Sequence, residues 1–209
     1  MYLPMRVLIC PDKFKECMTA GKVALHIRNG ISKVLPDTEF LIVPLADGGE
    51  GTVEALVEAT GGRIETVFVH DPLMRLITSF FGISGDGRTA FIEMSAASGL
   101  TLLNKQERNP LITTTYGTGE LIRYALDKGC SEIILGIGGS ATIDGGVGMA
   151  QALGLYFADA MGNMIEPGGA NLGNIYHIDF STLDPRVTSC DILAACDVSN
   201  TLTGSEGAA

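Results

Sequence analysis

No stretch limits the fold of this chain more than residues 133–148, Ile-Ile-Leu-Gly-Ile-Gly-Gly-Ser-Ala-Thr-Ile-Asp-Gly-Gly-Val-Gly. An apolar run suited to a strand buried on both faces ends in a glycine-rich turn, and an apolar segment, residues 147–157, follows. The turn carries two hydroxyls, Ser140 and Thr142, and one carboxylate, Asp144. Glycines, having no Cβ, let backbone N–H groups approach a bound anion closely, and a helix start is where such an anion sits. The same glycines equally serve a tight turn with no ligand. Both readings stay open at this level.

The N-terminal region reads as a β-α-β-α unit. Residues 5–10 form a buried strand, Thr19 caps a helix running to about Leu35, and residues 40–43 form a second strand. A second helix spans residues 52–60 and ends at Gly61-Gly62. This alternation predicts a parallel sheet. Ligands of such sheets sit outside the carboxyl ends of the strands. The first strand end offers Asp12, Lys13 and Lys15. The second offers Asp47 and Glu50 among three glycines that add no packing.

From Arg63 to Glu93 the pattern changes to short runs broken by turn residues, with Asp86-Gly87 as a tight turn, which predicts hairpins. His70, beside Asp71-Pro72, reads as a turn residue. The hydroxyl-rich run Thr113-Thr114-Thr115-Tyr116-Gly117-Thr118 leads a helix ending near Lys128, with Gly129 as its C-cap. Residues 191–196 form another buried strand, which delivers Asp197, Ser199 and Asn200.

Apolar residues make up 46% of the 209 and charged residues 18%, enough for the core of one large or two small domains. A net charge of −10 disfavours a nucleic-acid partner, which calls for a basic face. Small anions stay compatible, since local N–H groups and a few lysines dominate at short range. The five cysteines are scattered with no Cys-x-x-Cys pair, so no zinc pattern arises. They read as reduced thiols of a cytoplasmic protein, with Cys10 and Cys196 closing apolar runs as core residues. No apolar run approaches the ~20 residues of a membrane span, and residues 1–5 do not resemble a signal peptide.

The glycine turn lacks the Gly-Lys-Ser/Thr of a Walker A loop. It fits the loose dinucleotide pattern Gly136-x-Gly138-x-x-Ala141, with Asp159 placed as a ribose-binding acid. A dinucleotide-dependent oxidoreductase is therefore one reading. Against it, Asp144 would repel a pyrophosphate unless a metal intervened. The set Asp12, Asp47, Glu50, Asp144 and Asp197 with Lys13 and Lys15 suits phosphoryl transfer with Mg²⁺ better, because that chemistry asks chiefly for positioning and charge neutralisation. A carboxylate could also take the proton of an attacking alcohol.

Six segments in order resemble the type-1 glycerate kinases: Cys10-Pro11-Asp12-Lys13-Phe14-Lys15; Ala46-Asp47-Gly48-Gly49-Glu50-Gly51-Thr52; Glu93-Met94-Ser95-Ala96-Ala97-Ser98-Gly99-Leu100; Thr114-x-x-Gly117-Thr118-Gly119-Glu120-Leu121; the turn from Gly136 to Gly146; and Ala195-Cys196-Asp197-Val198-x-Asn200. The resemblance implies transfer of the γ-phosphoryl of ATP to D-glycerate, giving 2-phosphoglycerate, with Mg²⁺. It implies an α/β fold in which a Rossmann-like parallel-sheet domain (residues 1–65 here) carries an inserted second α/β domain with a mixed sheet and hairpins (residues 66–209).

On that basis Lys15, Asp47 and Asp197 are the expected catalytic residues. Asp12, Lys13, Glu50, Gly138, Gly139, Ser140, Thr142 and Asn200 are expected to bind substrate or phosphate. Asp47, Asp144 and Asp197 are expected to hold the metal. The chain departs from the family pattern at Ile143, Cys17 and Thr201, where the family has Asn, Ser and Pro. The family pattern also continues past Ala209. A chain ending there is expected to leave sheet edges unpaired and apolar surface exposed, which leaves homo-oligomerisation, aggregation and loss of activity open beside the kinase reading, with a non-catalytic ligand-binding fragment as a further alternative.

Overall fold

The computed structural model describes residues 5–12, 14, 17–43, 45, 48–49, 51–196, 201, 203–205 and 207. The chain is a mixed α/β protein of two compact units, residues 1–47 and 48–209. In the first, β1 (Arg6–Ile9) pairs in parallel with β2 (Glu39–Ile42), Arg6 opposite Glu39 and Ile9 opposite Ile42. Helix α1 (Ala20–Ser32) joins them, and the Thr19 hydroxyl caps it by accepting from the Lys22 N–H. The strands are less buried than their composition predicts. Leu8 and Leu41 are exposed, and Ile9 is buried. Successive strand residues face opposite sides, so a strand covered on one side only buries alternate residues.

The second unit is built on a five-stranded sheet of order β3-β4-β5-β6-β9. Helix α2 (Thr52–Thr60) precedes it and ends on left-handed Gly61. Strands β3 (Arg63–His70) and β4 (Leu76–Ile83) are antiparallel, and so are β4 and β5 (Thr89–Glu93), as the hairpin pattern predicts. The turn between β4 and β5 uses left-handed Gly87, whose N–H donates to the Ser84 carbonyl. Strand β6 (Glu132–Gly136) lies parallel to β5, and β9 (Asp191–Ala195) lies parallel to β6. Helix α2, expected on the N-terminal side of a boundary at 65/66, packs on this sheet.

Strand β5 is buried from Ala90 to Glu93, and it contacts both α2 and α4 (Tyr116–Asp127). The core joins Phe81, Ile92, Leu121, Ile122, Ile133 and Leu135. The short helix α3 (Ser95–Ser98) follows β5 directly. Helix α5 (Val147–Ala152) crosses α4 at Gly119, where a Cβ would lie 2.3 Å from the Met149 carbonyl oxygen. Strands β7 (Tyr156–Ala158) and β8 (His177–Asp179) form a separate antiparallel pair.

Three expectations are corrected here. Strand β9 is not a buried strand, because it ends the sheet order and leaves Leu193 exposed. Cys10 and Cys196 are exposed rather than core residues. The buried thiol is Cys130, at the end of α4, and burial pushes its pKa up, which keeps it unreactive.

Two glycines differ in what they permit. A Cβ on Gly136 would lie 2.2 Å from the Gly48 carbonyl oxygen, whereas one on Gly30 of α1 meets nothing within 4 Å. Gly136→Ala should cost about 1–3 kcal/mol by overpacking. Gly30→Ala should stabilise α1 by about 0.5–1 kcal/mol. Urea unfolding of the two variants beside the parent checks both signs.

Candidate functional site

The carboxyl ends of β5, β6 and β9 finish level, with Glu93, Gly136 and Ala195 as successive register partners. In an open parallel arrangement this is where ligands bind. Gly48 lies across these ends. The Gly138 N–H donates to the Gly48 carbonyl at 3.3 Å, and the Ile137 N–H donates to the Ala195 carbonyl at 3.4 Å. A Cβ on Gly48 would lie 2.7 Å from the Ala195 carbonyl oxygen, and one on Gly138 would lie 3.0 Å from Gly49 Cα. Glycine is thus required here for backbone to pack on backbone, and the Gly138 N–H is spent inside the protein.

The loop after β6 is laced to residues 94–100. Met94 N–H donates to the Gly136 carbonyl at 2.8 Å, Leu100 N–H to Gly139 at 3.0 Å, and Ala141 N–H to Ser98 at 2.8 Å. Gly139 is exposed at the tip, with φ +73°. The Ser140 and Thr142 hydroxyls hydrogen-bond each other at 2.9 Å, and the Thr142 N–H donates to Ser140 Oγ. Ile143 is 41% exposed.

Asp144 is 2% exposed and anchors the far end of the loop. Its carboxylate accepts from the Thr115 N–H at 2.8 Å, the Thr115 hydroxyl at 2.9 Å and the Thr114 hydroxyl at 3.2 Å. It also accepts from the N–H groups of Gly146 and Gly148 at 3.1 and 3.2 Å. Thr115 Oγ1 in turn accepts from the Met149 N–H at 2.9 Å. Alongside, the Thr113 hydroxyl donates to the Ala141 carbonyl, and Ser98 pairs with Thr118 at 2.7 Å. The threonine run therefore braces the glycine loop, and the N-cap residue of α4, Thr115, makes no side-chain capping bond to that helix.

Two acids that sequence reasoning did not single out sit in the same frame. Glu93, 1% exposed at the end of β5, accepts from the Val53 N–H at 2.8 Å and so caps α2, whose N-cap Gly51 has no side chain to do it. Glu120 accepts from the His70 N–H at 2.7 Å, and His70 Nδ1 lies 3.0 Å from the same oxygen. His70 is the last residue of β3 and ties that strand to α4. An acid closing an apolar strand was the available sign for Glu93. The His70–Glu120 pair is distant in sequence and left none.

A family model described as Glycerate kinase family matches residues 7–209. The chain belongs to the glycerate kinase family. It is 55% identical over 204 residues to a glycerate kinase of Haemophilus influenzae, covering 98% of this chain and 54% of that protein. It is 52% identical over 204 residues to the glycerate 2-kinase of Escherichia coli, with the same coverage. A solved crystal structure from Salmonella typhimurium LT2, assigned as glycerate kinase 2, superposes with a TM-score of 0.85 at 55% identity, covering 99% of this chain and 55% of that one. The chain spans about half the length of the curated relatives it matches.

Of the residues expected at a glycerate kinase site, Gly138, Gly139, Ser140, Thr142 and Asp144 share the loop after β6. Asp12 is exposed in the first unit, after β1. Lys13, Lys15, Asp47, Glu50, Asp197 and Asn200 lie outside the described residues. Among the described residues no group of three or more acids, histidines or cysteines could hold a metal ion. Asp144 does not fit that task, because its oxygens are taken by five donors.

The dinucleotide pattern is set aside on the same geometry. The loop does not open directly into a helix, since α5 starts only at Val147. Asp159 follows β7, outside the main sheet, and its carboxylate accepts from the N–H groups of Met161 and Asn163 in its own turn. The Asn163 side chain also donates to it, which holds its pKa below the usual carboxylate range.

Asp144→Asn places an amide N–H₂ against donors and leaves part of the cluster unsatisfied. It should lower stability by at least about 2 kcal/mol. Thr115→Val should cost less, about 1–2 kcal/mol. Thermal unfolding of both variants checks the order.

Proposed function

We propose that this protein serves ATP-dependent phosphorylation of D-glycerate, giving 2-phosphoglycerate. The observation that carries the reading is the 55% identity to a protein named glycerate kinase, sustained over 98% of this chain. The level strand ends of β5, β6 and β9 supply a surface of the kind on which α/β enzymes hold ligands, and this supports it further.

In the reaction the substrate hydroxyl oxygen forms a bond to the γ-phosphorus as the bond to the β,γ-bridging oxygen breaks and ADP leaves. The hydroxyl proton passes to a base. We assign Asp197 as that base, Lys15 as the cation on phosphate or on the substrate carboxylate, and Asp47 as their partner in charge balance. Asp12, Lys13, Glu50, Asn200 and the loop residues Gly138, Gly139, Ser140 and Thr142 complete the binding set. Asp47, with Asp197 where it does not act as the base, would hold Mg²⁺, and the ion would supply neutralisation of the phosphate charge. The geometry of Asp144 suits a different task, holding the loop in shape. Residues 1–65 belong to a Rossmann-like domain and 66–209 to an inserted one. The partners are small molecules rather than nucleic acid or membrane, the compartment is the cytoplasm, and self-association is expected.

A coupled assay for ADP release with ATP, Mg²⁺ and D-glycerate tests this. Glycerate-dependent turnover is expected, with Asp197→Asn and Lys15→Met each lowering it by about 100-fold or more. Wild-type rates in either variant remove that residue from the site. A folded protein that binds MgATP or glycerate without turnover is a ligand-binding part only. Binding of NAD without Mg²⁺ dependence would reinstate the oxidoreductase.

A further inference from the structure

Ser95, the first residue of α3, is 9% exposed, and its hydroxyl has no hydrogen-bond partner among the described residues. Folded proteins pair nearly all buried hydroxyls, so an orphan calls for a reason. The other buried hydroxyls of this region are paired: Ser98 with Thr118, Thr113 with the Ala141 carbonyl, and Thr114 and Thr115 with Asp144.

The space beside the orphan is kept clear by a glycine. A Cβ on Gly139 would lie 3.2 Å from Ser95 Cβ and 3.9 Å from its Oγ. Gly139 is exposed at the loop tip, and the buried hydroxyl lies directly behind it. Ser95 follows Glu93 by two residues, and the intervening Met94 N–H donates to the Gly136 carbonyl. The backbone at Ser95 is therefore held beside the level strand ends, by this bond before it and by the Ala141 N–H to the Ser98 carbonyl after it.

We propose that Ser95 Oγ donates a hydrogen bond to an oxyanion of the ligand, a carboxylate or phosphoryl oxygen seated against Gly139. This rests on the kinase reading, in which both substrates present acceptor-only oxygens. The orphan is then satisfied only in the complex, and the apo protein carries its cost. Ser95 is a ligand-binding residue in this account, and Gly139 is the residue that keeps its approach open.

Calorimetric titration of the 209-residue chain with D-glycerate, MgATP and inorganic phosphate tests it, on the parent, Ser95→Ala and Ser95→Cys. The cysteine keeps the side chain's shape and donates poorly. Both variants should bind one class of probe about tenfold or more weaker, with a melting temperature equal to or above the parent's. Loss confined to glycerate places a carboxylate at the hydroxyl; loss for MgATP and phosphate places a phosphoryl oxygen there. Unchanged affinity for every probe in both variants overturns the Ser95 assignment and leaves the kinase reading standing. A lower melting temperature in both variants with affinity intact marks a structural hydroxyl and also overturns it. A parent chain that binds none of the probes removes the kinase reading itself, and the Ser95 assignment with it.

Discussion

One buried carboxylate sets the shape of the loop that follows β6. Asp144 gathers hydrogen bonds from Thr114, Thr115, Gly146 and Gly148, and it is almost fully removed from water. A buried charge is tolerated only when donors surround it, and here two of them are main-chain amides at the start of α5. The carboxylate therefore joins the start of α4, the end of the glycine loop and the start of α5 at one point. Without it the loop would lose its anchor at the α5 end.

Glycine does the complementary work at the other end of the loop. Gly48, Gly136 and Gly138 let main chain lie on main chain at the strand ends, at distances a Cβ would forbid. The sequence made the clustering of glycines plain, but not its purpose. Approach to a ligand and approach to another backbone leave the same trace in sequence. Only the position of Gly48 against Gly136 and Ala195 separates them. Asp144 shows the same ambiguity, since an acid among glycines reads equally as a metal contact or as an acceptor for the amides those glycines expose.

Other features were legible because their cause is local. Thr19 as a cap, Gly61 as a left-handed stop and Asp86-Gly87 as a turn each depend on a few neighbouring residues. The exposed faces of β1, β2 and β9 were not legible, because composition reports how apolar a strand is and not what covers it. The His70–Glu120 contact was silent and the placement of Glu93 at a strand end did not name Val53 as its partner, because both are agreements between residues far apart in the chain. The family resemblance was carried by short motifs and held over residues 7–209.

The order of strands in the main sheet has a consequence for how the second unit assembles. Strands β3, β4 and β5 are neighbours in both sequence and space, so their pairing closes only short loops. Strand β9 reaches β6 after the long excursion from Gly136 to Asp191, through α5, β7 and β8. Closing a longer loop costs more chain entropy before any contact repays it, which makes β9 a late arrival during folding. The level edge formed by Glu93, Gly136 and Ala195 is then complete only once β9 has docked, and a chain arrested earlier would hold its hairpins while lacking one side of that edge.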